Sequence, residues 1–245
     1  MAPAKTLLAI PTYNEIGNVE PLCLELLAQG LELDILFMDD ASPDGTGALI
    51  DRLAAAHARV GAVHRAGKLG IGSAHLDCIA YAYDHGYDVL ITMDCDFTHP
   101  PSSVGALIAR SDDCDVVVGS RYLVRDSLEE WTVFRRLLTH GGHFLTRRLL
   151  KLEQDASSGM RLYKLRSIPR ALFGLIDSRG YSFFFESLYV LALNGYRIGE
   201  VGIRLPARAS GQSKMTPKDA AEGLLRLGRL WLQCKLNPKR YRSGV

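Results

Sequence analysis

The chain has 245 residues, 47% of them apolar and 23% charged, a composition that excludes disorder and gives enough length to bury one large core. Its 29 basic and 27 acidic side chains nearly cancel to a net charge of +2, which excludes a general affinity for nucleic acid but permits local arginine clusters that meet a phosphate or a membrane surface. Five cysteines at unpaired spacings (Cys23, Cys78, Cys95, Cys114, Cys234) are read as reduced packing residues of a cytosolic compartment, excluding a disulfide framework or a zinc site.

Met1 to Lys5 leads directly into the apolar run Leu7 to Ile10, too short for a signal peptide or a bilayer span. No later segment reaches transmembrane length, so any membrane contact is expected to be peripheral. The run predicts a first strand, and Pro11-Thr12-Tyr13-Asn14-Glu15 follows at once. Proline restricts the backbone there, while Tyr and Glu offer a stacking face and an acceptor to a nucleobase or ribose; the same residues also suit a plain turn into the helix predicted over Val19 to Gln29. A second strand, Ile35 to Met38, ends in Asp39-Asp40-Ala41-Ser42-Pro43-Asp44-Gly45-Thr46. Adjacent acids at a buried strand end repel each other, an arrangement that makes sense if one of them binds a ribose or base donor group. Asp44 and Thr46 are read as caps of the helix Thr46 to His57.

A third strand, Val60 to Val63, precedes Gly67-Lys68-Leu69-Gly70-Ile71-Gly72-Ser73-Ala74, which opens a helix over Ser73 to His85. The glycines match neither the dinucleotide fingerprint, which belongs at the first strand-to-helix turn, nor a phosphate loop closed by Gly-Lys-Ser or Gly-Lys-Thr. They are read as a flexible loop that brings Lys68 or backbone N–H groups to a ligand. A fourth strand, Val89 to Met93, runs into Asp94-Cys95-Asp96. Two carboxylates one residue apart at a strand end can reach one hard divalent cation, which in turn bridges the diphosphate of a nucleotide sugar. His99, next to Pro100, is read as a turn residue and left out of the ligand set. A helix over Ser103 to Ser111 and a strand at Val116 to Val118 complete the alternation. Its spacing predicts an α/β fold, a mostly parallel central sheet with helices on both faces, and a site beyond the carboxyl ends of the strands.

After Tyr122 the pattern changes to a long helix (Thr132 to Leu152), a strand (Ser158 to Tyr163), a helix (Phe183 to Leu193), a strand (Arg197 to Arg204) and a C-terminal helix (Pro217 to Cys234). The first of these helices sets Trp131, Phe134, Leu137, Leu138, Phe144, Leu145 and Leu149 beside Arg147, Arg148 and Lys151. The last sets Leu224, Leu227 and Trp231 before Lys235, Lys239, Arg240 and Arg242. Each apolar stripe suits a membrane interface and ordinary core packing equally well.

Taken in order, Pro11 to Glu15, Asp39 to Thr46, Gly67 to Ala74, Asp94-Cys95-Asp96 and Gly119-Ser120-Arg121-Tyr122 resemble the motifs of the inverting family 2 glycosyltransferases. Trp131 with Arg135-Arg136, Asp155 to Tyr163, Gly180 to Glu186 and Gly211-Gln212-Ser213-Lys214-Met215 resemble in particular the polyprenyl-phosphate (dolichyl-phosphate) mannosyltransferase branch, and the likeness covers nearly the whole chain. The resemblance implies a GT-A type nucleotide-sugar fold with C-terminal amphipathic helices. Residues 1–122 would form the nucleotide-sugar half, and 123–245 the acceptor-binding, membrane-proximal half of the same domain. It implies that Pro11, Tyr13, Glu15 and Asp40, with Lys68 of the glycine loop, lie at the nucleotide, and Asp94 and Asp96 at Mg2+ or Mn2+. Arg121 and Arg135 would receive the acceptor phosphate, and Arg208 and Lys214 would lie on or near a loop that closes over the donor diphosphate. Asp96, Arg121 and Arg135 form the implied catalytic set.

The implied partners are a nucleotide-diphosphate sugar, GDP-mannose, and a polyprenyl or dolichyl phosphate at the cytoplasmic face of a membrane, reached directly or through a membrane-protein partner. The chain departs from the pattern at Thr98, where many relatives have Gln, and at the unusually aromatic Phe183-Phe184-Phe185-Glu186. A monoalkyl phosphate, with a second pKa of about 6, is already an anionic nucleophile near neutral pH and needs little help from a general base. Three alternatives remain open: another nucleotide sugar (glucose or an N-acetylhexosamine), a glycan hydroxyl acceptor served by a base such as Glu186, and a non-catalytic nucleotide-sugar-binding protein.

Overall fold

The computed structural model describes residues 4–125, 127–128, 131, 133–205 and 216–242, with the backbone alone at 133–135. Seven strands, β1 (Thr6–Thr12), β2 (Asp34–Asp39), β3 (Val60–His64), β4 (Val89–Thr92), β5 (Val116–Ser120), β6 (Arg161–Lys164) and β7 (Ile198–Gly202), form one sheet in the order β3-β2-β1-β4-β6-β5-β7. The helices are α1 (Ile16–Ala28), α2 (Thr46–Ala56), α3 (Ile71–Asp84), α4 (Val104–Arg110), α5 (Val133–Leu150), α6 (Phe183–Leu193) and α7 (Pro217–Leu236).

The unbroken apolar runs of the strands follow from burial on both faces of a largely parallel sheet. Leu7 and Ala9 of β1 join Leu36, Met38, Leu90 and Tyr163 in a core under α3, α6 and α7. Leu8 and Ile10 turn the other way and join Ile35, Phe37, Ile91 and Leu162 under α1, α2 and α4. Pro11, which has no N–H to donate, is tolerated in this central strand because it lies past the last β1–β4 pair, Ala9 with Thr92.

The alternation sets β5 after β4, but the sheet admits β6 between them, antiparallel to both, with Leu162 opposite Ile91 on one side and Val117 on the other. This reversal has a direct consequence for the site. Because β6 runs the opposite way, the turn that enters it lies at the same edge as the carboxyl ends of β4 and β5. The expected strand Ser158 to Tyr163 is therefore shorter, its first residues serving in that turn.

The two amphipathic helices divide their apolar residues between core and surface. On α5, Leu145, Leu149 and Leu150 pack inward while Leu137, Leu138 and Phe144 are exposed. On α7, Leu227 and Leu230 are buried and Trp231 packs against the core, whereas Leu224, Leu225, Leu232 and Leu236 are exposed. Trp131 is buried. Among the described residues no helix is long and apolar enough to cross a membrane. All five cysteines are free thiols, and four of them are buried.

Candidate active site

The nucleotide-side motifs meet across the ends of β1, β2 and β3. The ammonium of Lys68 lies 4.6 Å from the centre of the Tyr13 ring, a cation–π contact that brings together two residues from separate motifs. Glu15 is largely buried; its Oε2 accepts from Asn18 Nδ2 at 2.6 Å, and its N–H donates to Thr46 Oγ1 at 3.0 Å.

The adjacent acids at the end of β2 face different partners, although the charge of Asp39 still adds to the upward push of burial on Asp40. Asp39 is taken up by its own turn, accepting from the N–H and the hydroxyl of Ser42 at 3.0 and 2.5 Å. Asp40 accepts from Arg65 at 2.5 Å, and the same guanidinium reaches Asp77 at 2.8 Å and Ser73 Oγ at 2.5 Å. Burial lifts the Asp40 carboxyl above its usual range, an effect the charge and hydrogen bond of Arg65 only partly offset. Arg65 belongs to none of the sequence motifs, and its role emerges only where β3 runs beside β2.

Two glycines of the glycine-rich loop are closely packed. A side chain on Gly70, at φ +99°, would come within 2.5 Å of the Arg179 carbonyl, and one on Gly72 within 2.5 Å of Phe183 Cβ. Ser73 N–H donates to the Arg179 carbonyl at 2.9 Å. Gly70 and Gly72 thus serve close packing against the segment that leads into α6, in place of the expected flexibility. The start of α7 lies beside this loop. The N–H and hydroxyl of Thr216 hold the Asp219 carboxyl below its usual range, and the charge of Lys68 adds to the effect.

At the end of β4, Asp94 and Asp96 differ in setting: the Asp94 side chain is 38% exposed, while Asp96 as a whole is 3% exposed. Asp96 Oδ1 accepts from Thr98 through both its N–H (3.1 Å) and its hydroxyl (2.5 Å). Thr98 therefore orients this carboxylate. His99, read from the sequence as a turn residue, is buried, and its Nδ1 accepts from the Asp94 N–H at 2.9 Å, a partner that the His-Pro context does not reveal. Three of these strand-end turns contain a non-glycine residue at positive φ: Asn14 (55°), Ala41 (55°) and Phe97 (62°). Such strain costs on the order of 1–3 kcal/mol per residue and clusters at functional sites.

The donor set fits a divalent cation. Mg2+-type ions take one or two carboxylates and complete their shell with water and substrate phosphate, so a third protein ligand is not required. Among the described residues no group of three or more His, Cys, Asp or Glu gathers as a potential metal-holding set. Space beside Asp94 is kept open by Gly159, where an added Cβ would stand 3.2 Å from Asp94 Oδ1, 3.4 Å from the Phe184 ring and 3.5 Å from the His99 ring.

Arg121, directly after β5, donates through Nε to Asp155 Oδ2 at 2.7 Å and through its backbone N–H at 3.3 Å. Its guanidinium lies 5.8 Å from the centre of the Trp131 ring. The turn entering β6 thus touches both ends of the site, with Asp155 on Arg121 and Gly159 against Asp94. The side chain of Arg135 lies outside the described residues, as do Arg208 and Lys214.

Glu186 is fully buried and saturated. It accepts from the N–H groups of Asp177 (3.0 Å) and Ser178 (3.2 Å), from the Ser178 hydroxyl, and from Arg226 at 3.1 and 2.5 Å. A carboxylate committed in this way ties α6 to α7.

The profile described as glycosyl transferase family 2 matches residues 8–170. The chain is 34% identical to an undecaprenyl-phosphate mannosyltransferase of Micrococcus luteus over 98% of its own length and 100% of that protein. It is 33% identical to a polyprenol monophosphomannose synthase of Mycolicibacterium smegmatis over 96% of its length and 90% of the relative. Its fold is similar to that of glucosyl-3-phosphoglycerate synthase from Mycobacterium tuberculosis, crystallised with Mn2+, UDP and glucosyl-3-phosphoglycerate (TM-score 0.61, 19% identity, covering 96% of this chain and 80% of that one).

Proposed function

The chain belongs to glycosyl transferase family 2, and from that premise we propose that it transfers mannose from GDP-mannose to a polyprenyl phosphate with inversion at the anomeric carbon. The observation that carries this reading is the turn 155–159, which links Arg121, a cation suited to an acceptor phosphate, to the strand end that bears Asp94 and Asp96. Support for mannose and for the lipid phosphate comes from the two bacterial relatives, each aligned over nearly the whole chain.

In this proposal Pro11, Tyr13, Glu15 and Asp40 surround the nucleotide, with Lys68 held over the Tyr13 face, and residues 1–122 form the donor half. Asp94 and Asp96 hold Mg2+ or Mn2+, which when bound stabilises the charge of the departing diphosphate. Arg121 and Arg135 align the lipid phosphate in the half formed by 123–245, their planar forks matching its oxygens. Arg208 and Lys214 meet the donor diphosphate. One phosphate oxygen bonds to the anomeric carbon as the bond from that carbon to the diphosphate breaks, and GDP leaves. No proton has to be removed from the nucleophile, which suits a site whose buried carboxylate Glu186 is already saturated; that saturation argues against a glycan hydroxyl acceptor.

The exposed Leu137, Leu138 and Phe144 of α5 beside Arg147 and Arg148, and the exposed Leu225, Leu232 and Leu236 of α7 beside Lys235, supply apolar and basic surface for peripheral docking at the cytoplasmic face of a membrane. Flotation with anionic vesicles tests this part; protein left in the soluble fraction points to a membrane-protein partner instead.

The activity test incubates purified protein with radiolabelled GDP-mannose and undecaprenyl phosphate, with Mn2+ or with EDTA. Metal-dependent passage of label into the organic phase is expected. Transfer only from labelled UDP-glucose or UDP-N-acetylglucosamine, or donor binding with no transfer, refutes the reading.

A further inference from the structure

Arg161 opens β6 with a side chain that is 0% exposed. Its Nε donates to the Ser158 carbonyl at 2.8 Å, one terminal nitrogen to the carbonyls of Ala156 (3.0 Å) and Phe184 (2.7 Å), and the other to Ser187 Oγ at 2.9 Å. The guanidinium also lies 5.4 Å from the centre of the Phe184 ring. All these oxygens are neutral, and among the described residues no carboxylate forms an ion pair with Arg161. A buried cation without a counter-ion is a poor way to gain stability, since its desolvation is costly and an apolar side chain of similar volume generally serves as well.

The origin of the acceptors suggests what the arginine does instead. Ala156 and Ser158 belong to the turn whose two ends touch Arg121 and Asp94, whereas Phe184 and Ser187 belong to the first turns of α6. The Phe184 ring then walls the space kept open by Gly159. One rigid fork therefore fixes the turn and the aromatic wall together. Behind Phe184 stands His75, edge-on at 5.0 Å, with both ring nitrogens lacking a hydrogen-bond partner. Burial, and then the nearby charges of Arg161 and His99, push its pKa down to about 3, so it backs the wall as a neutral ring.

We propose that Arg161 is a positioning residue that sets the spacing between the acceptor phosphate at Arg121 and the donor diphosphate at Asp94 by fixing the turn 156–159. The role rests on the mannosyl-transfer reading above. Alignment of two bound reactants is worth orders of magnitude in rate, and small displacements forfeit it without weakening the binding of either one alone.

The test uses the full chain with Arg161→Lys, which keeps the charge but loses the fork, and Arg161→Met, which keeps the volume alone. GDP-mannose and undecaprenyl phosphate are varied separately, donor affinity is measured by calorimetry, and folding is followed by circular dichroism. The expected result is a kcat lower by about 100-fold, with donor Kd within about threefold of wild type. GDP release with water as acceptor, which requires no aligned lipid, is expected to stay within about threefold in Arg161→Lys. Should both variants fail to fold, Ser187→Ala removes one acceptor from the fork and is expected to lower kcat by about tenfold. A folded Arg161→Lys with wild-type kcat, or a loss of kcat that follows donor affinity, overturns the positioning role alone. Wild-type protein that binds donor but transfers nothing to lipid overturns both readings, and that failure shows before any substitution is made.

Discussion

Asp155 grips Arg121 side-on: its buried Oδ2 accepts the Nε–H at 2.7 Å and the backbone N–H at 3.3 Å, a contact that does not use the guanidinium's terminal fork. Burial by itself would raise the Asp155 carboxyl, but the charge and hydrogen bonds of Arg121, with those of Ser157, outweigh it and hold the group below its usual range. A carboxyl depressed in the folded state stabilises the fold above its unfolded pKa of about 3.9 and loses that contribution as pH falls through the folded value. Removing one partner of a buried pair costs on the order of 3–5 kcal/mol. Asp155→Asn is therefore expected to lower the melting temperature at pH 7 by roughly 6–20 °C, with the gap to wild type closing in acid below the unfolded pKa. Thermal melts of both proteins from pH 7 down to pH 3 check this; a gap that stays constant across the series contradicts it.

The two acids after β4 predict a metal-linked effect. Asp96→Ala is expected to reduce Mn2+-dependent transfer by about a hundred- to a thousandfold, in line with the loss of a group that stabilises charge developing in the transition state. Donor affinity measured in EDTA is expected to match wild type, because only the metal-bridged contact is gone. Titration calorimetry with and without Mn2+ distinguishes these cases. Equal donor affinity of wild type and variant in Mn2+ would remove Asp96 from the ion.

The parallel strands and the acidic strand ends were legible in the sequence because a strand buried on both faces reads as an unbroken apolar run, and an Asp pair directly after it has few scaffold uses. What lay beyond reach depends on contacts between distant segments. Nothing local in Arg161-Leu162-Tyr163 reveals that β6 inserts antiparallel between β4 and β5, yet this insertion is what carries Asp155 and Gly159 to the same edge as Asp94. No motif of the sequence includes Arg65, since its partners Asp40, Ser73 and Asp77 come from different segments. Gly70 and Gly72 read as parts of a flexible loop, because nothing local shows that Arg179 and Phe183 come close to them. His99 sits in a His-Pro turn, as expected, with an additional bond to the Asp94 N–H that spacing alone does not disclose.

Glu186 separates two kinds of acceptor chemistry. Loss of a general base lowers rates by about 10²–10⁴-fold, whereas loss of a structural carboxylate lowers stability and leaves the folded molecules active. Glu186→Gln keeps the shape but loses the charge that faces Arg226, whose proton affinity is raised by that carboxylate against the opposing effect of burial. The expected outcome is a lower melting temperature with kcat, per folded molecule at 25 °C, within about threefold of wild type. A kcat loss of a hundredfold or more in well-folded protein would restore the hydroxyl-acceptor alternative.

Two glycine-to-alanine changes should part stability from function. At Gly72 the new Cβ would stand 2.5 Å from Phe183 Cβ and 2.6 Å from the Gly180 carbonyl, and none of these atoms is the free end of a flexible side chain. The helix and the segment before α6 must separate, so Gly72→Ala is expected to cost about 1–3 kcal/mol by overpacking, read as a fall in melting temperature. At Gly159 the nearest atoms stand at 3.2 Å or more, and the three neighbours differ in their freedom to move. Phe184 is pinned through its carbonyl by Arg161, and His99 is buried, so the Asp94 carboxylate, with its side chain 38% exposed, has the most room of the three to shift. Gly159→Ala should accordingly keep its melting temperature to within about 3 °C, corresponding to roughly 1 kcal/mol. Its donor affinity in Mn2+ should fall by about tenfold, or about 1.4 kcal/mol. Melting curves together with donor titrations in Mn2+ decide the matter, and a Gly159→Ala protein that loses stability but keeps its metal-dependent donor affinity would show that Gly159 serves packing alone.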